Sequence, residues 1–177
     1  MSDKFKVFLS RAMLIFLVFS SFGCKKKDTF PVEQANVKDI LVGESAPDFR
    51  LESLNGDYVH LANQQGKVVL ISFWATWCSP CQKELPHLQN IYNQYRDKGV
   101  IVLAISIERK DTVQYLVESS GYTFPVLFAD KNTQLAYKVQ GIPAIYLIDR
   151  NGVIQFHQTG YTKGGESKIE EEVNKQI

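Results

Sequence analysis

The sequence predicts an α/β fold in which a mixed β-sheet is flanked by helices. Residues 68–73 form a nearly unbroken run of β-branched and aliphatic side chains, which is typical of a strand buried on both faces. A helical pattern and a second apolar run, residues 100–105, follow it, and such strand–helix–strand alternation indicates α/β packing. Asn151-Gly152 separates two later β-like runs, so the last strands are expected to form an antiparallel hairpin.

The remaining elements follow at short intervals along the chain. Residues 49–51 and 58–61 are β-like and flank Asn55-Gly56, a strong turn signal, which predicts an N-terminal β-hairpin. The sequence further predicts helices over 80–98, 111–120, 132–139 and 166–177, and strands over 126–129, 144–148 and 153–157. Residues 100–120 would form an additional strand and helix in the middle of the domain. About 130 residues are enough to bury a core without disulfides.

Composition excludes several classes of protein. The 177 residues are 45% hydrophobic and 22% charged with a net charge of +1, which argues against a disordered chain, a collagen-like repeat or a polytopic membrane protein. No basic surplus points to a nucleic acid as partner. The chain has three cysteines and three histidines, and none of the histidines has a zinc-type spacing with the cysteines. We therefore expect neither a metal nor another cofactor.

Residues 1–23 are expected to be a signal that is not part of the fold. Lys4, Lys6 and Arg11 precede a short apolar run with small residues behind it, the pattern of a secretory signal. Residues 12–23 would span about 18 Å as a helix, which is short of the roughly 30 Å hydrocarbon core of a bilayer. An uncleaved anchor and plain secretion are the alternatives. All three place the domain outside the cytoplasm, on the periplasmic side of the cell envelope.

The junction Gly23-Cys24 resembles a bacterial lipobox, which implies that Cys24 becomes a lipidated first residue. The membrane contact would then be this lipid, or otherwise an N-terminal anchor. Residues 24–41 mix charged, polar and scattered apolar positions without a clear period, so we interpret them as a linker. An additional N-terminal strand is the alternative. The folded domain is predicted to cover residues 42–177.

The motif that carries chemistry is Cys78-Ser79-Pro80-Cys81, at the predicted junction of a strand with a helix. A zinc site would need a second ligand pair, and a structural disulfide across two residues closes too small a loop to stabilise the fold much. Redox chemistry remains. Free N–H groups and the helix dipole favour the thiolate of Cys78, so we expect Cys78 to be the exposed nucleophile and Cys81 the more buried second cysteine.

Glu84 lies next to the predicted buried face of this helix. A helical wheel places it beside the stripe that contains Cys81, three residues away and therefore on the neighbouring turn. Desolvation should raise the pKa of a carboxyl at this position, which would let it exchange a proton with Cys81. A solvated side chain at the rim is the alternative. The wheel places His87 and Lys83 farther away, at the surface.

The segment from Phe73 to Cys81 resembles the active-site strand and helix of thioredoxins, and Gly141-Ile142-Pro143 resembles the cis-proline loop of that family. Ser72 stands where cytosolic thioredoxins carry a buried Asp. Glu84 and the opening residues 42–49 are similar to the membrane-tethered TlpA/ResA-like group. The resemblance implies a thioredoxin-like fold with Ile142 and Pro143 facing an extended substrate. Trp77 is expected to help shape a groove that recognises the substrate, and a buried aromatic side chain is the alternative.

The resemblance implies an envelope thiol–disulfide oxidoreductase. Members of this group reduce the haem-attachment cysteines of apocytochromes and are recharged by a membrane thiol-reducing protein. Reduction of protein disulfides is therefore the expected direction, with protein dithiols or disulfides as partners. A thiol peroxidase is one alternative, but Ala75 stands where peroxiredoxins need Thr. A copper-delivery module is another, but such carriers use CxxxC with a distal His, for which His157 would be the candidate.

Overall fold

The computed structural model describes residues 42–177. The predictions for the signal over residues 1–23, for lipidation at Cys24 and for the linker over residues 24–41 lie outside the described residues. Among residues 42–177, none of the helices combines the length and the apolar character needed to cross a membrane.

A five-stranded mixed sheet organises the described residues, as predicted. Its strands are β3 (Val68–Trp74), β4 (Val100–Ser106), β5 (Val126–Phe128), β6 (Ala144–Ile148) and β7 (Ile154–Thr159), in the spatial order β5-β4-β3-β6-β7. The β3–β4 and β4–β5 pairs are parallel, whereas β3–β6 and β6–β7 are antiparallel. A separate two-stranded hairpin consists of β1 (Arg50–Glu52) and β2 (Tyr58–His60). The expected α/β fold with its N-terminal hairpin is therefore confirmed.

Burial of β3 on both faces creates two cores. All seven of its residues are buried. Because side chains alternate along a strand, Val68, Leu70 and Trp74 belong to one apolar cluster and Val69, Ile71 and Phe73 to the other. The first cluster also contains the buried residues of the helix that follows β3. Ser72 lies on the same face of β3 as Leu70 and Trp74, so the strand directs one polar side chain towards the helix that follows it.

Within residues 42–177, four α-helices connect and cover the strands: α1 (Ser79–Tyr95), α2 (Lys110–Ser120), α3 (Lys131–Ala136) and α4 (Gly165–Gln176). Two helix ends differ from the prediction by three residues, and the other helix bounds differ by at most one. The α-helical part of α1 ends at Tyr95 and a 3-10 turn, Arg96–Lys98, leads to Gly99, whose φ of 85° suits glycine. Helix α3 stops at Ala136 instead of continuing to 139, because Lys138 takes the left-handed conformation with φ of 51°.

Both predicted Asn-Gly turns are present. Gly56 has φ of 91° and donates its N–H to the Ser53 carbonyl at 3.0 Å, and Gly152 has φ of 83° and donates to the Asp149 carbonyl at 3.0 Å. The second turn also binds the start of the domain, since Ala46 donates to the Gly152 carbonyl at 2.8 Å. The described part of the chain thus begins with an extended segment attached to the β6–β7 hairpin.

Candidate active site

The CxxC motif lies where β3 passes into α1, as the sequence predicts. Strand β3 ends at Trp74, and Cys78 is the N-cap residue of α1 with Pro80 in the first turn. The antiparallel register pairs Phe73 with Ala144, the first residue of β6. The loop that precedes Ala144 and the CxxC motif therefore lie at the same end of the sheet.

Cys78 and Cys81 form a disulfide with an S–S distance of 2.08 Å and Cα atoms 5.2 Å apart. The Cys81 N–H donates to Cys78 Sγ at 3.2 Å, so one of the free amides at the helix N-terminus points at this sulfur. Such a donor favours a thiolate at Cys78 once the disulfide opens.

The expected exposure of Cys78 is wrong for this disulfide form. Cys78 is 4% exposed and Cys81 is 1% exposed, so both belong to the buried core and exposure hardly separates them. The reason is local: the Cys78 sulfur is bonded to a cysteine one turn inside α1 and is held there by the helix amide. The chemical difference between the two sulfurs therefore comes from their positions on the helix.

Glu84 is more deeply buried than the edge position that the helical wheel gave it. The side chain is 2% exposed and accepts a hydrogen bond from Ser72 Oγ at 3.1 Å. Burial raises the pKa of Glu84 to about 7, against an opposing effect of the Ser72 hydrogen bond and with a smaller upward contribution from the charge of Glu166. A carboxyl with this pKa is populated in both protonation states at neutral pH.

Glu166 of α4 and Tyr161 of the loop before it interact electrostatically with this carboxyl. Glu166, in the first turn of α4, has its Oε1 3.7 Å from His87 Nε2 of α1. Interaction with the Tyr161 hydroxyl lowers the pKa of Glu166 and raises that of Tyr161. The Lys83 ammonium lies 6.0 Å from the centre of the Tyr161 ring. His87 and Lys83 lie at the surface, as predicted.

Solvent reaches Trp77 and, in part, Gly141 and Ile142 at this end of the sheet, whereas Pro143 is buried. The Trp77 side chain is 68% exposed, which is unusual for tryptophan. The Ile142-Pro143 peptide bond is cis, as the resemblance implied, and Ile142 is half-buried. Gly160 donates its N–H to the Pro143 carbonyl at 2.7 Å, which attaches the loop to the end of β7.

Glu108 is a further residue at this site that the sequence reasoning missed. It follows β4, and its carboxylate accepts two hydrogen bonds from Thr76. One carboxylate oxygen accepts from the backbone N–H of Thr76, and the other accepts from the Thr76 hydroxyl at 3.0 Å. The Gln82 amide donates to the Thr76 carbonyl from the other side. These contacts fix the segment that leads into Cys78. Glu108 and Thr76 are 32 positions apart, so no sequence period connects them.

The structure gives the copper alternative no support within residues 42–177. In that range no group of three or more His, Cys, Asp and Glu side chains is arranged to hold a metal ion. The His157 ring stacks on Tyr146 with centroids 4.4 Å apart, and its Nε2 lies 3.1 Å from Thr159 Oγ1. His157 is therefore engaged with its own β6–β7 hairpin.

Comparison with known proteins assigns the family. Residues 42–157 match the AhpC/TSA family. The chain belongs to this family. Thiol-disulfide oxidoreductase ResA from Geobacillus kaustophilus is 35% identical over 153 residues, which cover 85% of this chain and 86% of that protein. The protein of the same name from Bacillus subtilis is 33% identical over 162 residues, covering 90% and 88% of the two chains.

Structural comparison agrees with this result. A candidate thiol:disulfide interchange protein DsbE from Chlorobium tepidum superposes with a TM-score of 0.72 at 30% identity, covering 76% of this chain and 96% of that one. The resemblance of the sequence to the thioredoxin-like TlpA/ResA group is thereby confirmed. This member of the AhpC/TSA family is a thiol–disulfide oxidoreductase of the ResA/DsbE type.

Proposed function

We propose that the protein is a membrane-tethered, extracytoplasmic reductant of protein disulfides that works through Cys78 and Cys81. The observation that carries this proposal is the disulfide at the N-terminus of α1 with a buried carboxyl, Glu84, one turn further along the same helix. A helix N-terminus favours the attacking thiolate, and a carboxyl with a pKa of about 7 exchanges protons near neutral pH.

The reaction starts from the reduced dithiol. The Cys78 thiolate attacks one sulfur of a substrate disulfide, forms a mixed disulfide and releases the other substrate sulfur, which takes up a proton. Cys81 then loses its proton and attacks the Cys78 sulfur. The second substrate thiol leaves, and the Cys78–Cys81 disulfide retains the two oxidising equivalents. A membrane thiol-reducing protein returns two electrons and two protons to complete the cycle.

Glu84 is the proposed proton acceptor for Cys81. The two residues are three positions apart on the buried face of α1, where side chains at this spacing are neighbours. Ionised Glu84 takes the Cys81 proton when the mixed disulfide is resolved. Protonated Glu84 returns it when the enzyme disulfide is opened during recharging.

Trp77, Ile142 and Pro143 are the proposed contacts for the substrate chain. The exposed indole and the half-buried Ile142 lie at the end of the sheet that carries Cys78. An extended segment that pairs with the backbone of Ile142 would add a short strand next to the disulfide. Recognition through the backbone tolerates different side chains, which suits an enzyme that acts on cysteines in unfolded or flexible segments.

The proposed substrates are the haem-attachment cysteines of apocytochromes, and the proposed tether is lipidated Cys24. Both follow from the likeness to the TlpA/ResA-like group, and the names of the matched relatives support the oxidoreductase part of this assignment. A single acyl chain binds a membrane only marginally, so stable attachment implies two or more chains.

The test is the reduction potential of the CxxC pair together with a substrate assay. We expect a potential near or below about −250 mV, in the range of cellular reductants, and stoichiometric reduction of an oxidised Cys-x-x-Cys-His peptide. The Cys78→Ser variant is the control and should leave the peptide oxidised. A potential near about −120 mV would make the protein an oxidant and contradict the proposed direction.

A further inference from the structure

Ser72 lies in the middle of β3 and is the polar side chain that this strand directs towards α1. It is 0% exposed, and its backbone pairs with Ala104 on one side and Ile145 on the other. Its hydroxyl donates to Glu84 Oε1 at 3.1 Å. A buried serine and a buried carboxyl, 12 positions apart in sequence, thus make direct contact through their side chains.

The hydroxyl is chemically suited to a carboxyl that changes its protonation state. A serine hydroxyl has one donor hydrogen and two acceptor lone pairs, and it rotates to match its partner. It donates to Glu84 when the carboxylate is ionised and accepts from Glu84 when the acid is protonated. A buried polar group without a hydrogen-bond partner is costly. A partner that could only donate or only accept would therefore favour either the ionised or the protonated form of Glu84.

We propose that Ser72 is a positioning residue that lets Glu84 gain and lose its proton while buried, and that it thereby sets the pH range in which Cys81 is deprotonated. The second part rests on the proposed role of Glu84. The first part rests on the hydrogen bond and on the burial of both side chains.

Other groups near Glu84 bear on the same equilibrium. Cys81 shares the buried face of α1, and Glu166 faces the carboxyl from α4 and raises its pKa. Tyr161 interacts electrostatically with Glu84 from the loop before α4. Ser72 opposes burial and Glu166, since its hydrogen bond lowers the pKa of Glu84. Removing the hydroxyl therefore raises this pKa.

The two steps of the reaction should respond differently to that rise. Resolution of the mixed disulfide needs Glu84 as an ionised acceptor, so its rate at neutral pH falls when the carboxyl stays protonated. Attack by Cys78 on the substrate needs no proton transfer to Glu84. A residue that only maintained packing would slow the reaction without moving its pH dependence.

The experiment compares Ser72→Ala with Ser72→Thr, which keeps the hydroxyl and suits a strand, and with Ser106→Ala. Ser106 is a matched control because it is also 0% exposed and lies on the adjacent strand, where its hydroxyl binds the backbone N–H of Glu108. Stopped-flow oxidation of each reduced variant by an aromatic disulfide separates attack by Cys78 from attack by Cys81, because each releases one chromophoric thiol. The pKa of the Glu84 carboxyl is measured separately by infrared difference spectroscopy.

We expect Ser72→Ala to raise the pKa of Glu84 by about one unit, which reduces the ionised fraction at pH 7 by about fivefold. The second phase should slow by this factor at pH 7 and recover by pH 9, with the first phase unchanged. Ser72→Thr and Ser106→Ala should keep the wild-type pH dependence, and any loss of rate in Ser106→Ala through its bond to Glu108 should be the same at every pH. In a Glu84→Gln background, Ser72→Ala should produce no further pH-dependent change.

Two results would overturn different parts of the account. If the carboxyl pKa does not move in Ser72→Ala while Glu84→Gln still slows the second phase, the inference about Ser72 is wrong and the proposed role of Glu84 stands. If the carboxyl pKa rises but neither variant changes the second phase, Ser72 controls a carboxyl that takes no part in the reaction. That result would overturn the catalytic consequence and the role of Glu84 together.

Discussion

Replacement of Glu84 by Gln should stabilise the folded protein above neutral pH and leave its stability in acid unchanged. The substitution keeps the volume of the side chain and removes its titration. Burial raises the pKa of Glu84 in the folded protein to about 7 from an ordinary value of 4.5. The folded state therefore holds this proton more tightly than the unfolded chain, so the stabilisation from Glu84 is complete below about pH 4.5 and is lost as the pH rises towards 7.

The magnitude follows from the separation of the two pKa values. Each unit of pKa corresponds to about 1.4 kcal/mol, so the difference between 4.5 and about 7 corresponds to a cost of about 3 kcal/mol for ionised Glu84 above pH 7. Glutamine carries no charge and incurs no such cost. We expect oxidised Glu84→Gln to be as stable as the wild type at pH 4 and more stable by about 3 kcal/mol at pH 8.

Urea unfolding of both oxidised proteins from pH 4 to 8 measures this difference directly. Glu171→Gln is a matched control, since Glu171 is exposed on α4, 3.0 Å from Lys175. Its stability should stay within about 0.5 kcal/mol of the wild type throughout this range. If the free energies of unfolding for wild type and Glu84→Gln differ by a constant amount from pH 4 to 8, folding does not raise the pKa of Glu84 and the argument for its role fails.

Two further predictions concern the segment before Cys78 and the membrane attachment. Glu108→Ala removes both carboxylate contacts to half-buried Thr76, so we expect the free energy of unfolding in urea to fall by about 1–2 kcal/mol and exchange with a small disulfide to become slower. Thr76→Val loses only the hydroxyl contact, so its stability should lie between that of Glu108→Ala and that of the wild type. If both variants are as stable as the wild type, the contact between Glu108 and Thr76 does not stabilise the fold. Cys24→Ala should block lipid labelling and release the protein from membranes, whereas full membrane retention without label would favour an uncleaved anchor.

The features that sequence predicted well are those that depend on local chemistry. An unbroken apolar run predicted a strand buried on both faces, and β3 has that burial. Asn-Gly pairs predicted two turns because few other residues adopt positive φ readily. The CxxC motif with its internal proline predicted a helix that begins at residue 80, and α1 begins one residue earlier, at Ser79.

The features that sequence missed depend on contacts between distant segments. A helical wheel gives the direction of Glu84 around α1 but not what covers it, so it placed at the edge a side chain that is 2% exposed. Its partner Ser72 belongs to another element, and the contact of Glu108 with Thr76 joins the β4–α2 connection to the β3–α1 connection. Cys78 was expected to be exposed because helix geometry alone ignores the bonded sulfur of Cys81.

Identification of the attacking cysteine tests the central claim most directly. Cys81→Ser and Cys78→Ser, each reduced and then mixed with an oxidised protein substrate, are analysed by peptide mass spectrometry. The account predicts a stable mixed disulfide through Cys78 in Cys81→Ser, because the cysteine that would resolve it is missing, and little or none in Cys78→Ser. A mixed disulfide that forms faster through Cys81 than through Cys78 would contradict the assignment of nucleophile and resolving cysteine.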